Sequence, residues 1–336
     1  MVQSPRRTGS PIVVAMLAAA AVVVLQALLV PLFAAPAAHL TPRDLPIAVA
    51  GPATAAEALV ARLAAAQPGA FDPRTLTDPA EADRALRDRE VYGAFVVGPD
   101  GITLHTASGA SPTVTALLTE VARAAGGPVR VVDVVPADPD DPRGTGFAAG
   151  FLPLGMVGML AGVLLALLVA SRVARLVGLL AFGVLAGLAG AAVLQGWLGV
   201  LSGGYLANAA AIGLFALAVS ATMTGLAALF GRPGIALGAV TIFLVGNSLG
   251  AVATAPELLP RPWGAVGQWL PVGAGADLLR STAFFDGAGA TAPLAILAGY
   301  AVVGLSFVSI GRAVIAITER IPANTDKSRI LSTSVG

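Results

Sequence analysis

The chain has 336 residues, of which 56% are hydrophobic and only 12% are charged. Soluble domains usually carry about 25% charged residues, so this composition excludes an ordinary soluble protein and indicates a membrane protein. The formal net charge of +1 gives no reason to expect a nucleic-acid partner. The sequence has no cysteine and two histidines, which excludes disulfides, thiolate-bound metals and three-histidine metal sites. We therefore expect neither a metal nor a cofactor in this chain.

Six apolar stretches are long enough to cross a bilayer, which takes about 20 mostly apolar residues. We predict an α-helical polytopic membrane protein with spans at residues 12–34, 148–170, 176–199, 207–230, 235–254 and 292–316. For the first stretch a cleaved secretory signal is the alternative, since Ala35-Pro36-Ala37 resembles a small-residue cleavage site. That stretch is longer than a signal core of about 7–15 residues, which favours a retained helix.

Basic residues near the span ends predict the orientation. They precede the first span and follow the second, fourth and sixth, so six crossings place all of them on one side of the membrane. The positive-inside rule identifies that side as the cytoplasm. We expect a multi-pass protein of the cytoplasmic (inner) membrane with both termini cytoplasmic, including a tail over 318–336. The residues concerned are Arg6, Arg7, Arg172, Arg175, Arg232, Arg320, Lys327 and Arg329.

Residues 35–146 hold fourteen of the nineteen acidic residues and are expected to form an extracytoplasmic α/β domain between the first two spans. Alternating apolar residues predict strands, and helical spacing behind Asp78 and Ser111 predicts two capped helices. The predicted order is β-α-α-β-β-α-β, followed by a Pro/Asp/Gly-rich linker over 137–146. The strands are predicted at 45–51, 91–98, 101–108 and 129–135, and the helices at 54–67, 79–88 and 112–125.

No pattern in the chain indicates catalysis. His105 has no serine or cysteine nucleophile at a recognisable spacing, and prolines interrupt the Asp138–Asp141 cluster, unlike a calcium loop. A phosphate-binding loop needs Gly-Lys-Ser/Thr, but Lys327 is the only lysine and follows Asp326. We therefore expect a non-enzyme, with any ATPase on another chain. The second to fifth spans lack ionisable residues outside the loop arginines, which argues against a proton-coupled carrier.

The stretch LPVGAGADLLRSTAFFDGAGA, residues 270–290, is too polar to span a bilayer and too apolar for a free loop. Together with Trp269 it belongs to the segment 256–290 before the last span. We predict a short helix beginning near Gly275, with Asp277 at its positive end and paired with Arg280. The segment also contains Trp263, Phe284 and Phe285, and because tryptophan favours the membrane interface we predict a re-entrant or interfacial helical element. A plain amphipathic surface helix is the alternative.

Polar residues within the spans are candidates for lining a transport path, and small residues there predict close helix packing. Asn247 and Ser248 are the best candidates for lining a transport path, with helix–helix hydrogen bonding as the alternative. Spaced glycines predict tight helix contacts, either between two chains or within one. These glycines are Gly158, Gly162, Gly178, Gly183, Gly187 and Gly190.

The chain has one span, an outer α/β domain and five further spans, and it contains the segments LPIAVAG, YGAFVVGPDG and LPVGAGADLLRSTAFFDG. This topology and these segments resemble the permease subunit of type-2 ABC exporters. The resemblance is closest to the phage-infection-protein-like branch found in bacteria. It implies a homodimer or heterodimer of permease chains, in contact with membrane lipid, that exports lipids, glycans, peptides or drugs. It also implies a separate cytoplasmic ATP-binding subunit.

In that family the ATPase docks on a helix before the first span and on the loop between the second and third spans. Arg172 and Arg175 occupy that loop here, and Arg232 is a further candidate for coupling. Simple positive-inside anchoring is the alternative for these arginines. Residues 1–11 depart from the family because they are too short for a docking helix. The alternative function is a non-transporting receptor or cell-envelope scaffold that acts through the α/β domain.

Overall fold

The computed structural model describes residues 10–311, apart from residues 100 and 125–128. Within this part of the chain, six helices are long and apolar enough to cross a membrane, with mean hydropathies between 1.3 and 2.8. This confirms the six predicted apolar helices. The predicted end of the last span, the tail over 318–336 and the basic residues beyond Ile310 lie outside the described residues, as do Arg6 and Arg7. The helices are Pro11–Pro36, Thr145–Leu168, Arg172–Trp197, Tyr205–Phe230, Arg232–Leu249 and Thr291–Ile310.

The first helix, α1, extends from Pro11 to Ala38 and leads into a five-stranded α/β domain. The strand order is β2-β1-β3-β4-β5, in which β3 and β4 are antiparallel and the other neighbours are parallel. The elements are β1 Leu45–Ala50, α2 Ala53–Ala66, β2 Phe71–Leu76, α3 Pro79–Arg87, β3 Gly93–Gly98, β4 Gly101–Thr106, α4 Pro112–Ala124 and β5 Arg130–Asp133.

Four strands and three helices of this domain follow the prediction. Asp78 accepts a hydrogen bond from the backbone N of Ala80 at 2.9 Å, and Ser111 Oγ accepts one from Val114 N at 3.3 Å, so both predicted caps are confirmed. Helices α2 and α4 bury apolar side chains on one face of the sheet. Helix α3 and the aromatic residue Phe285 cover the other face.

Strand β2 was not predicted. Its sequence FDPRTL shows no apolar alternation, because it lies at the sheet edge and exposes Asp72, Arg74 and Thr75. Proline is tolerated in an edge strand because one side of that strand has no neighbouring strand, so a missing N–H on that side breaks no hydrogen bond of the sheet. The observed order is therefore β-α-β-α-β-β-α-β. This edge strand is recognisable only through its pairing with β1.

The apolar helices after the domain pack around one central helix, α7. In an 18-residue apolar stretch of this helix 72% is buried, against 28% or less of the corresponding stretch in each of the other candidate spans. Helix α6 ends in a π-helical turn, Ala192–Trp197, and a second π-helical stretch, Ala239–Val245, separates α8 from α9. The bounds are α5 Thr145–Leu168, α6 Arg172–Ala191, α7 Tyr205–Phe230, α8 Arg232–Gly238 and α9 Gly246–Leu249.

The predicted small-residue contacts occur within the chain. A Cβ atom on Gly187 would lie 2.2 Å from the carbonyl oxygen of Ala209, and one on Gly162 would lie 2.6 Å from Met223 Cβ. Gly158, Gly183 and Gly190 face α7 in the same way, while Gly178 faces Leu165 of α5. These glycines let α5 and α6 approach α7 more closely than any other residue would allow. They therefore serve intramolecular packing.

Between α9 and the last helix the chain forms a 3₁₀ turn, Pro256–Leu258, and the short helices α10, Trp263–Gln268, and α11, Pro271–Phe284. The last helix, α12, extends from Thr291 to Ile310. Eleven of the fourteen α11 residues are buried, so neither a free loop nor a plain surface helix describes this segment. The helix begins at Pro271 rather than near Gly275, because proline at the first turn starts it, and Asp277 lies in its middle.

Candidate functional site at the junction

The α/β domain packs against the segment 256–290, and Arg89 of the domain forms an ion pair across this junction. Arg89 follows α3 with a φ of 61°, and its guanidinium donates to the carboxylate of Asp277 and to Ser281 Oγ. The same guanidinium lies 5.2 Å from the centre of the Phe285 ring. Side-chain exposures of 14% for Arg89 and 31% for Asp277 make this a largely buried ion pair. The α/β domain is therefore attached to α11, which packs on α7.

A cavity of about 290 Å³ lies beside this ion pair, and we name it the junction cavity. The domain contributes one wall and the segment 256–290 contributes the other. Charged and polar side chains make up much of the lining. The lining residues used below are Arg89, Glu90, Tyr92, Glu257, Gln268 and Asp277.

Glu257 is the least compensated charge in the junction cavity. Its Oε2 atom is fully buried and has no hydrogen-bond partner among the described residues. Burial raises the pKa of Glu257 above its usual value, while neighbouring Tyr92 and Arg89 act in the opposite direction. Burial also raises the pKa of Tyr92 well above its usual value. The cavity therefore contains a carboxyl group that would gain free energy from a hydrogen-bond donor.

The irregular segment that leads into β1 fixes the position of Glu257 through backbone hydrogen bonds. Arg43 N donates to the Glu257 carbonyl oxygen at 3.0 Å, and Thr41 N donates to the Leu258 carbonyl oxygen at 3.2 Å. The Arg43 guanidinium also donates to the Leu258 carbonyl oxygen at 2.9 Å. Backbone hydrogen bonds thus attach the 3₁₀ turn to the domain, and the Glu257 side chain takes no part in these bonds.

The predicted ion pair between Asp277 and Arg280 is wrong. Asp277 pairs with Arg89, whereas Arg280 donates to the Val252 carbonyl oxygen and lies 5.0 Å from the centre of the Phe147 ring. Side chains three positions apart can meet on a helix, but each of these has a better partner on another element. Burial lowers the pKa of Arg280 to about 10, so it remains protonated at neutral pH.

The aromatic residues of the segment 256–290 have different environments. Phe285 is buried under Arg89, and Phe284 packs against Gly109 of the domain and Phe147 of α5. Trp269 is 69% exposed at the end of α10. It borders an open, largely apolar cavity of about 700 Å³, which we name the α12 groove. The groove is lined by Gln268, Trp269, Ala292, Ala295, Ile296, Gly299, Tyr300 and Val303.

The intramembrane polar candidates differ in their contacts. Ser248 donates to the Leu244 carbonyl oxygen of its own helix at 2.9 Å, which satisfies its hydroxyl. Asn247 borders a narrow crevice between α5, α7 and α11. Sequence reasoning missed Asn208 of α7, which is fully buried and donates to Gln195 Oε1 at 3.0 Å. No local pattern indicates this pair, because the two residues lie on different elements and meet only in the folded chain.

The three coupling candidates do not share one environment. Arg175 is 1% exposed, and its guanidinium donates to the carbonyl oxygens of Val169 at 2.6 Å and Ala166 at 3.0 Å. It therefore caps the C-terminal end of α5 and is not part of an exposed surface. Arg172 and Arg232 are exposed, and Arg172 reaches the Ser309 carbonyl oxygen of α12.

The ionisable clusters of the domain and linker have structural partners. His105 Nδ1 lies 2.6 Å from Asp83 Oδ1, which is a histidine–carboxylate pair without a nucleophile. Asp141 accepts a hydrogen bond from Phe147 N at 2.7 Å at the start of α5, and Asp138 accepts one from Ser202 Oγ at 2.7 Å. Within the described part of the chain, no group of three or more His, Cys, Asp or Glu residues could hold a metal ion.

Comparison with protein-family models, curated proteins and solved structures gives no match for this chain.

Proposed function

We propose that the chain is the membrane permease subunit of an ABC-type exporter. It moves a hydrophobic or amphipathic substrate across the cytoplasmic membrane, and a separate subunit hydrolyses ATP. Two permease chains, identical or different, form the transporter. Both termini face the cytoplasm, and the α/β domain is extracytoplasmic.

The attachment of the α/β domain to the helix bundle is the observation that carries this proposal. Arg89 joins the domain to Asp277 and Ser281 of α11. Helix α11 packs against α7 and α12, so a rearrangement of the bundle would displace the domain. A scaffold needs no buried ionic attachment between its exposed domain and the centre of its membrane bundle, whereas an exporter needs its outer and membrane parts to move together.

Arg172 and Arg232 are the residues we assign to the ATPase-docking surface. Both are exposed near the ends of α6 and α8. Gly311 at the end of α12 lies against Ala228 of α7, and Arg172 reaches Ser309, so α6, α7 and α12 meet at this end of the bundle. A short, rigid and basic surface of this kind suits an acidic groove on a partner.

Co-purification tests the proposal. The chain is isolated from its native membranes in mild detergent, and ATP hydrolysis by the complex is measured. We expect a phosphate-loop ATPase to co-purify, and Arg232→Glu to reduce its recovery while Arg62→Glu, on the exposed surface of α2, leaves it unchanged. Failure to bind any ATPase, with unchanged efflux after gene deletion, would support the receptor or scaffold function instead.

A further inference from the structure

The junction cavity and the α12 groove are neighbours that share Gln268. One is polar and has a volume of about 290 Å³, whereas the other is largely apolar and has a volume of about 700 Å³. A polar compartment that adjoins an apolar one matches a molecule with a polar head and an apolar chain. A single ligand that occupied both would pass beside the Gln268 side chain.

The charges around the junction cavity favour a cationic head. Arg89 is neutralised by Asp277, and Glu90 is paired with Arg74. Glu257 remains, with Oε2 buried and without a hydrogen-bond partner in the described residues. Burying a carboxylate is costly, and because Glu257 lines the cavity, an ammonium group there can pair with this carboxylate and lower that cost.

The other basic residues near Glu257 have partners of their own. The guanidinium of Arg43 donates to the carbonyl oxygens of Thr41 and Leu258, and Arg261 pairs with Asp44. An anionic or phosphate-bearing head would be repelled by the Glu257 carboxylate, so the charge pattern selects against it.

The α12 groove is long enough for a single alkyl chain. Its lining along α12 extends from Ala292 to Val303, which corresponds to roughly 16 Å at the α-helical rise of about 1.5 Å per residue. That length is comparable with an extended dodecyl chain. Gly299 lies in the middle, and a Cβ atom added there would meet nothing within 4 Å, so the floor of the groove is open at this point.

We infer that the junction cavity and the α12 groove together bind a single-chain amphiphile with a cationic amine head, whose ammonium group contacts Glu257 and whose alkyl chain lies along α12. Identifying this ligand as exported cargo rests on the proposed function. The binding site itself does not, because occupancy requires neither an ATPase nor transport.

Quenching of a single tryptophan by a brominated amphiphile tests this inference. The three natural tryptophans are replaced by phenylalanine, and Val303→Trp places a reporter at the far end of the α12 groove. Val157→Trp, on the exposed face of α5, is the matched reporter for amphiphile dissolved in the surrounding lipid. The full chain in lipid nanodiscs is titrated with dodecylamine brominated at its terminal carbon, and with dodecanoate brominated in the same position.

Binding predicts saturable quenching at position 303 by the amine, which unbrominated dodecylamine reverses. Quenching at position 157 should rise only in proportion to the amphiphile in the lipid. Glu257→Gln should weaken the saturable phase at least about tenfold, the loss expected for one charge-assisted hydrogen bond. Gly299→Leu should abolish it by filling the groove, whereas Gly196→Leu, at an equally open glycine in the π-helical turn after α6, should not.

Three results would overturn the inference. The two reporters could be quenched with the same dependence on amphiphile, the carboxylate could quench position 303 as well as the amine does, or Glu257→Gln could leave the saturable phase unchanged. Saturable binding without any co-purifying ATPase would refute the exporter proposal and leave this site intact, so the two failures are distinguishable.

Discussion

Arg89 and Asp277 are separated by 188 positions in the chain and form the ion pair that joins the α/β domain to α11. The two residues lie in different parts of the fold, so the pair is a tertiary contact. Through this contact α11 of the helix bundle supports the α/β domain.

Loss of the Arg89–Asp277 pair should destabilise the chain measurably. Arg89→Met leaves a largely buried carboxylate without its partner, for which we expect a loss of about 1–3 kcal/mol. The double variant with Asp277→Asn should lose less than the sum of the two single variants, because the residues interact. Thermal unfolding in detergent measures these values. Arg74→Met is the control, since its pair with Glu90 is about half exposed and should contribute less than about 1 kcal/mol. Additive effects would contradict the pair.

The raised pKa of Glu257 predicts a specific pH dependence. Because the folded state holds this proton more tightly than the unfolded state, its stabilisation is complete below the usual pKa of 4.5 and is lost as pH rises through the folded value. The wild-type chain should therefore lose stability with rising pH relative to Glu257→Gln, which cannot titrate. Melting temperatures of both proteins over the acidic to neutral range measure the difference. Parallel curves would show that Glu257 is not buried as described.

Close packing of α6 on α7 predicts an intolerant glycine. In Gly187→Ala the added Cβ atom would lie 2.2 Å from the Ala209 carbonyl oxygen and 3.0 Å from the Gly213 nitrogen, so backbone must move. Overpacking of this kind costs about 1–3 kcal/mol. Gly196→Ala, where a Cβ atom meets nothing within 4 Å, should keep the wild-type melting temperature or raise it. Equal tolerance at both positions would show that α6 and α7 are further apart.

The loop arginines should separate into a structural and a functional residue. Arg175→Met removes two hydrogen bonds from a buried guanidinium to the end of α5, and each such bond contributes about 1.5–3 kcal/mol. Arg172→Met, at an exposed position, should change stability by less than about 0.5 kcal/mol. In the ATPase recovery assay, applied to well-folded protein, Arg172→Glu should lower the recovery of the ATPase more than Arg175→Lys does. A stability loss at Arg172 as large as that at Arg175 would contradict the capping role.

Much of the helical architecture could be predicted because its signals are local. Long apolar runs define the six helices, and Asp78 and Ser111 mark helix starts through short-range hydrogen bonds. Strand β2 carries no such signal, since its conformation depends on pairing with β1. The partner of Asp277 was missed for the same reason. Local spacing offered Arg280, whereas the folded chain brings Arg89 from the other side of the junction.

The roles of Arg175 and Glu257 show where composition misleads. A basic residue in a short loop indicates orientation by the positive-inside rule, yet Arg175 turns inward because α5 ends with carbonyl oxygens that lack intrahelical partners. Glu257 is an ordinary acid in the sequence. It becomes a candidate binding residue only because the segment between α1 and β1 holds its backbone while Oε2 is buried.

Single-cysteine labelling tests the six-crossing arrangement most directly, because the chain contains no natural cysteine. Gln67→Cys lies on the exposed surface of the α/β domain, and Ala170→Cys lies in the exposed loop between α5 and α6. With a membrane-impermeant maleimide, we predict that Gln67→Cys reacts in intact cells and that Ala170→Cys reacts only after permeabilisation. Labelling of Ala170→Cys in intact cells, or protection of Gln67→Cys there, would contradict the account.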